Sequence, residues 1–431
     1  MAAVAAGLSA FQRVRASDKK PALLGGAPVR REPFPSWPVF GEPEKRGLLG
    51  VLRSAKWGRG SGKTVEAFEE AYAKLVGARY CLATANGTSA LLTALAAAGI
   101  EAGDEVVVPP YTFIATINVV LMRHALPVFA DTDIETFQID SKSIEAVMSP
   151  RTTAILPVHL GGAACDLDAI TSIANRRNVI VIEDACQAHL AEWRGRRVGS
   201  IGKAGCFSFQ ASKNLNSGEG GAMLTNDAQF VERAFAFHNN GRARRTAAPD
   251  FTYASYGANL RLTEFQGALL LAQMERLERQ ARQRDENGRY LTSMLAEIDG
   301  ITPAKTYSGC TRNAYHLYMF RYDASRFAGL SKAGFLKALR AEGIPASGGY
   351  APLNREPFLE QVIQSKGYRA IYGEARLKQW REQNHCPAND RLCNEAIWLT
   401  QNMLLGPRSD MEQIVEAVRK IKAHAPELAK G

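Results

Sequence analysis

The sequence contains no apolar run of the roughly 20 residues needed to cross a bilayer as a helix, and no cysteine pair spaced as CxxC. The first absence argues against a membrane-spanning helix. The second removes the usual zinc modules and any paired framework, because Cys81, Cys165, Cys186, Cys206, Cys310, Cys386 and Cys393 are scattered and several lie in apolar strand-like stretches. They read as reduced core thiols, which places the chain in the cytoplasm. His385 and Cys386 with Cys393 come nearest to a ligand cluster, but their spacing fits no zinc motif and no metal is expected. Charge is present without concentration: 53 basic and 43 acidic residues leave +10, spread out except for Arg176-Arg177 and Arg242 to Arg245. A nucleic-acid groove would gather that excess into a stripe with interleaved aromatics, so an anionic small substrate or plain solubility is the better reading. Repeats and low-complexity tracts are lacking too. Met1 to Ala16 is Ala-rich and weakly apolar but has no basic region ahead of its apolar part, so it reads as a disordered N-terminus rather than a secretion signal.

What is present is enough for a large core. With 431 residues, 46% of them hydrophobic and 22% charged, the chain suits two domains, or one with a substantial appendage. Lys20 to Glu44 is rich in Pro and Gly and predicts an extended strap. From Tyr80 onward strands and helices alternate. Strands are expected at Tyr80 to Ala85, Glu105 to Pro109, Pro127 to Ala130, Thr153 to His159 and Val179 to Asp184. Helices are expected at Thr88 to Ala98, Thr112 to Arg123, Ser141 to Met148 and Asp166 to Asn178. This alternation predicts an α/β fold with a large, mostly parallel sheet, whose ligands gather beyond the strands' C-terminal ends. Gly205 to Gln210 and Gly221 to Asn226 read as two further strands. A long helix from about Thr263 past Arg289 then leads to a smaller α+β unit. The expected divisions are an extension over 1–56, a large domain over 57–291 and a small domain over 292–431.

The densest chemical signal is Ser208-Phe209-Gln210-Ala211-Ser212-Lys213-Asn214 followed by the glycine-rich 217–221. It lies downstream of an apolar run, 179–182, that ends in Glu183-Asp184. An ammonium in water is a poor nucleophile, and a lysine needs burial or a cofactor to work near neutral pH. Pyridoxal 5'-phosphate (PLP) answers both residues, since its aldehyde takes lysine as an imine while a carboxylate keeps its ring nitrogen protonated. An aspartate ending a β-branched run is costly to bury without such a cation. Asp184 could also be a magnesium-binding carboxylate of a nucleotidase strand, and most lysines are merely solvated.

The remaining candidates acquire weight by their order. Asn86-Gly87-Thr88-Ser89 opens a helix and offers free N–H groups as a phosphate seat, or is an ordinary N-cap. Tyr111 stands at a strand mouth, as a stacking ring or a packing tyrosine. Gln187 is placed to reach the cofactor's phenolic oxygen, and Ser208 and Ser212 to donate to phosphate. Glu219 reads either way, and Asn259 is otherwise a helix-leading cap. A competing class is a P-loop nucleotidase on Gly58 to Thr64, which ends in Gly-Lys-Thr. The required glycine six residues before Lys63 is Trp57, and no apolar strand precedes the loop.

Taken in order, Asn86 to Ser89, Pro109-Pro110-Tyr111-Thr112-Phe113, Pro157 to Gly162, Glu183 to His189, Phe207 to Lys213, Gly218 to Gly221 and Asn259 to Glu264 resemble the DegT/DnrJ/StrS family of sugar and cyclitol aminotransferases. The resemblance runs from about Trp57 to Gly349. It implies a fold-type I PLP enzyme acting as a homodimer with active sites shared across the interface. By position it makes Lys213 the imine lysine, Asp184 the ring-nitrogen partner, Tyr111 the stacking ring and Gln187 the phenolic-oxygen contact. Gly87, Thr88 and Ser208 become phosphate ligands, and Asn259 enters from the partner subunit. Relatives with histidine at the lysine position act as dehydratases, so Lys213 favours transamination, with glutamate or glutamine as donor and a ketosugar or ketocyclitol as acceptor. Gln210 stands where nucleotide-sugar members commonly carry His, Tyr or Phe, and so resembles members that act on ketocyclitols or make aminohydroxybenzoate. His238, Arg242, His316 and Tyr350 are further candidates for the acceptor pocket. A catalytically silent sensor on the same fold is the alternative, against which the intact Lys213 and Asp184 argue.

Overall fold

The computed structural model describes residues 20–244 and 253–430. The expected N-terminal segment Met1 to Ala16 and Arg245 lie outside the described residues. Strands form where β-branched and apolar residues run together, at β1 (Tyr80–Thr84), β2 (Glu105–Val108), β3 (Leu126–Phe129), β4 (Thr152–Ile155) and β5 (Ile180–Asp184). A short hairpin of β6 (Glu192–Trp193) and β7 (Arg196–Arg197) follows, then β8 (Ala204–Ser208) and β9 (Gly221–Thr225). Seven of these make one sheet in the order β1-β9-β8-β5-β4-β2-β3. Only β9 runs antiparallel to its two neighbours, β1 and β8, while β8, β5, β4, β2 and β3 pair in parallel. Helices cover both faces, so central strands are apolar throughout rather than alternating; Val106, Val107 and Val108 are all fully buried. The C-terminal ends of β1, β2, β4, β5 and β8 therefore share one edge.

The helix Gly87–Ala97 begins at that edge, capped by the Asn86 side chain accepting from the Ser89 N–H at 2.8 Å. The 32-residue helix Glu264–Leu295 starts with Thr263 and Gln266 capping each other. It ends beside a second sheet, β10 (Ile301–Pro303), β12 (Leu317–Tyr322) and β13 (Ala396–Thr400), while β11 (Cys310–Arg312) joins the β6–β7 hairpin. The expected division at residue 291 is crossed in both directions. Helix Lys366–Gln383 returns to the large sheet's core through Tyr368, Tyr372 and Trp380, with the Trp380 indole donating to the Pro127 carbonyl at 2.6 Å. The strap packs Leu24, Val29 and Phe34 onto the C-terminal core. Hydrophobic pattern states that a segment buries a face, not which core receives it.

The Gly58 to Thr64 stretch shows why a phosphate loop fails here. Helix Thr64–Val76 begins there, but its free N–H groups are already taken: the Glu264 carboxylate accepts from Thr64 at 2.6 Å and from Val65 at 3.4 Å. A β-carbon on Gly62 would lie 2.3 Å from the Glu264 Oε2. The anion seat holds the chain's own carboxylate, which removes the nucleotidase reading.

Candidate active site

Asp184 ends β5 and is buried at 4% exposure. Its Oδ2 accepts from the Thr116 hydroxyl at 2.8 Å, which is itself 2.9 Å from the Thr112 hydroxyl, and its Oδ1 accepts from the Cys186 N–H at 3.2 Å. A carboxylate has about four lone-pair positions, so two donors orient it and leave room for a third. Next to it, Glu183 is wholly buried and fixes the strand end: it is 3.0 Å from His159 Nε2 and accepts from the N–H groups of Gly199, Ile201 and Gly202 at 2.6, 2.8 and 2.7 Å. The Cys165 N–H donates to His159 Nδ1 at 3.1 Å, so Nε2 carries the ring's proton. Burial pushes the Glu183 carboxyl up, but the His159 hydrogen bond and the Gly199 and Gly202 N–H groups outweigh it and hold it below the usual range. Glu183→Ala would strand those four donors in a dry interior. We expect a stability loss of about 3–5 kcal/mol by denaturant unfolding, and a change under about 1 kcal/mol would contradict this account.

Lys213 lies in the loop between β8 and β9, half-buried. Burial pulls its amine below the ordinary lysine range, against the attraction of Cys186 and Asp184. The Cys186 thiol is itself pushed up by burial, hence uncharged, so Asp184 is the attraction that counts. A lysine so placed is a neutral base more often than one in water. Its Nζ is 3.3 Å from Nε2 of His316. Burial first, then the charges of Lys213 and Arg284, push His316 well below its ordinary value, so a neutral imidazole faces the lysine. His316 is thereby a lysine contact in this chain, closer to the chemistry than the pocket-lining role expected of it.

The β8 end is anchored by a second neutral histidine. His189 Nε2–H donates to the Ser208 carbonyl at 2.9 Å and its Nδ1 accepts from the Tyr72 hydroxyl at 2.9 Å. Burial brings His189 down to about 3. Opposite, a β-carbon on Gly87 would meet Ser208 Cβ at 2.7 Å and Cys186 Sγ at 3.1 Å. Glycine there lets the helix's first N–H groups approach Ser208, and Thr88 beside it is half-buried. This cradle fits a phosphate, the carboxylate fits a protonated ring nitrogen, and the depressed amine fits imine formation. Gly87→Val should weaken cofactor binding at least about tenfold, because a bulky side chain closes the cradle. Equilibrium dialysis of cofactor would check this, and an unchanged affinity would move the phosphate elsewhere.

Other candidates fall differently. Tyr111 offers no face for stacking: it is 1% exposed, with Phe137, Tyr350 and Trp398 edge-on around it at 6.1, 5.5 and 6.3 Å. Phe113, two residues on, is 56% exposed and lies between the threonines that serve Asp184. Gln187 does reach the site, but its side chain bridges protein groups, accepting from the Gly161 N–H at 2.7 Å and donating to the Tyr350 hydroxyl at 3.1 Å. Gln210 turns back on its own loop, accepting from the Ser212 N–H at 2.9 Å and the Ser212 hydroxyl at 2.7 Å. His238 is a core residue, donating to the Phe235 carbonyl at 2.6 Å and brought to about 3 by burial and then Arg59. None of its partners belongs to the lysine site. Arg242 lies 5.8 Å from the Tyr253 ring at the exposed margin. Asn259 is exposed and its backbone bridges to Asn239.

Sequence reading missed Thr116, His189 and Arg284. Arg284 is fully buried with no carboxylate partner among the described residues: its Nε and Nη2 donate to Gln401 Oε1 at 2.9 and 2.5 Å, and the Trp37 ring lies 5.1 Å away. Burial brings it down to about 9. Trp37, from the strap, donates to the Ala211 carbonyl of the lysine loop at 3.0 Å. Only the strong polarity of the helix sequence around Arg284 hints at it, and that polarity suggests solvent.

A sheet edge that sets a depressed lysine near a buried aspartate, with a glycine-opened helix start for phosphate, defines a PLP-dependent transferase. The sequence matches the model of the DegT/DnrJ/EryC1/StrS aminotransferase family over residues 40–419, and the chain belongs to that family. It is 38% identical to a putative L-glutamine:3-amino-2,3-dideoxy-scyllo-inosose aminotransferase of Streptoalloteichus tenebrarius, covering 94% of this chain and 99% of that one. It is 36% identical to the L-glutamine:2-deoxy-scyllo-inosose aminotransferase of the same organism, over 94% of this chain and 98% of the other. Among solved structures, 3-amino-5-hydroxybenzoic acid synthase superposes with a TM-score of 0.80 at 32% identity, covering 92% of this chain and 99% of that chain. The protein is thus a PLP-dependent aminotransferase.

Proposed function

We propose that this enzyme moves the amino group of L-glutamine onto the ketone of a free polyhydroxylated carbocycle, a ketocyclitol. The observation that carries the reading is the near-full-length similarity to L-glutamine:scyllo-inosose aminotransferases at 34–38% identity, supported by Gln210 in the lysine motif. Asp184, Gly87, Thr88 and Ser208 hold the cofactor, and Phe113 takes the covering role that Tyr111 cannot. We place the enzyme in the cytoplasm as a homodimer, in which Asn259 serves the neighbouring subunit's site. Large apolar side chains left open in one chain, Phe113, Met122, Tyr253 and Tyr256, support such an interface. None of the described helices is long and apolar enough to cross a membrane.

Bound PLP supplies an aldehyde for amine exchange and a ring that accepts electrons. The chain does the rest. Thr116 and the Cys186 N–H hold Asp184 so that its charge keeps a proton on the ring nitrogen. Lys213, favoured in its neutral form by burial and faced by neutral His316, would remove the α-proton of the amino donor. That proton would pass from Lys213 to the cofactor's aldehyde carbon, and in the second half-reaction the same amine would take it back from there and deliver it to the carbon that bore the acceptor's ketone. Incubation with L-glutamine and scyllo-inosose should give an aminocyclitol detectable by mass spectrometry. Amination of nucleotide-linked ketosugars with none of ketocyclitols would overturn the substrate assignment.

A further inference from the structure

We propose that Trp398 and Tyr350 form the platform on which the acceptor's ring lies, and that they determine specificity in the acceptor half-reaction. The proposal rests on the ketocyclitol reading above. Trp398 sits on β13, half-buried, and exchanges backbone hydrogen bonds with Ser347 at 3.0 and 2.9 Å, which sets the 347–350 segment alongside it. The Tyr350 and Trp398 rings are 4.4 Å apart at 77°. Gln187 ties Tyr350 to the turn directly after Asp184, and Trp398 packs against Tyr350, extending the aromatic surface from the Asp184 turn. Burial pushes the Tyr350 hydroxyl up to about 12, against the Gln187 hydrogen bond and with the charge of Asp184 adding to it.

The orientation of the polar atoms gives the platform its character. The Tyr350 hydroxyl is engaged by Gln187. The Trp398 Nε1 is buried and faces the Tyr111 hydroxyl, close enough to bias its ionisation but not aligned as a hydrogen bond, so both atoms lack a well-formed partner. With its N–H turned inward, what half-buried Trp398 leaves open is carbon surface. A carbocycle with equatorial hydroxyls presents the matching shape: a polar rim and two faces of axial C–H bonds. Aromatic carbon pairs with those faces, while the rim remains free for hydrogen bonds. A nucleotide-linked sugar would take most of its binding from phosphate and base, for which this platform offers nothing.

The test separates the half-reactions on the holoenzyme. With L-glutamine, conversion of the cofactor by Trp398→Leu and Tyr350→Leu should stay within about twofold of wild type, whereas KM for scyllo-inosose should rise roughly tenfold. Trp398→Phe should recover most of that loss. An unchanged acceptor KM, or donor and acceptor steps falling together, would overturn the platform, the second result marking a purely structural role. A wild-type enzyme inert toward every ketocyclitol would overturn the function proposed above and the platform with it. An active wild type with an indifferent Trp398→Leu would overturn the platform alone.

Discussion

Lys213→Ala is expected to cut turnover by at least about 10⁴-fold, because one amine serves both as covalent anchor and as the proton carrier of each half-reaction. The fold should survive. Lys213 is half-buried in a loop, its amine makes one close polar contact among the described residues, 3.3 Å to His316, and the loop is held by backbone bonds from Ala211 to the Gly218 carbonyl at 2.9 Å and from Ser217 to the Phe209 carbonyl at 2.9 Å. Cofactor should still bind through the phosphate cradle and Asp184, but without the visible band of the lysine-bound form. A small exogenous amine should restore part of the proton transfer. Stopped-flow measurement of the L-glutamine half-reaction checks this, and a variant within about 100-fold of wild type would remove Lys213 from the chemistry.

Asp184→Asn should slow the same half-reaction by about 10²–10³-fold while leaving the protein folded. The substitution keeps the size of the side chain; the amide oxygen can still accept from the Cys186 N–H, now at 3.2 Å, while the Thr116 hydroxyl, now donating at 2.8 Å to the other oxygen, can turn to accept from the amide N–H. What is lost is the negative charge that keeps the ring nitrogen protonated, and with it the electron sink that weakens the donor's α-carbon bond. Measured at saturating cofactor, the effect isolates electronics from binding. A variant that reacts within about tenfold of wild type when fully loaded would show that Asp184 positions rather than activates.

How far the chain could be read before folding depended on whether a signal was local. Glu105–Val108 and Ile180–Asp184 stood out because a parallel strand covered on both faces is apolar at consecutive positions. The Asn86 cap and the glycines around Lys213 are likewise short-range features. The strand expected to reach His159 stops at Ile155, since His159 is drawn away to Glu183. The failures share a cause. Glu264 fills the helix start at Thr64 from 200 residues away, and His316 reaches Lys213 across 103 residues; no window of sequence holds both partners. Arg284 sits among charged neighbours, and nothing in that composition distinguishes the one arginine that turns inward. Tyr111 and Phe113 both flank the strand mouth, and which aromatic is buried follows from Phe137, Tyr350 and Trp398 closing over Tyr111, contacts made only in the folded chain.

The imine between Lys213 and the cofactor is the claim on which the rest stands, and trapping it tests the claim most directly. Borohydride reduction of the holoenzyme, followed by proteolysis and peptide mass spectrometry, should place the cofactor's added mass on Lys213 and on no other lysine. Reduction that labels a different lysine, or a holoenzyme whose spectrum borohydride leaves unchanged, would contradict the account.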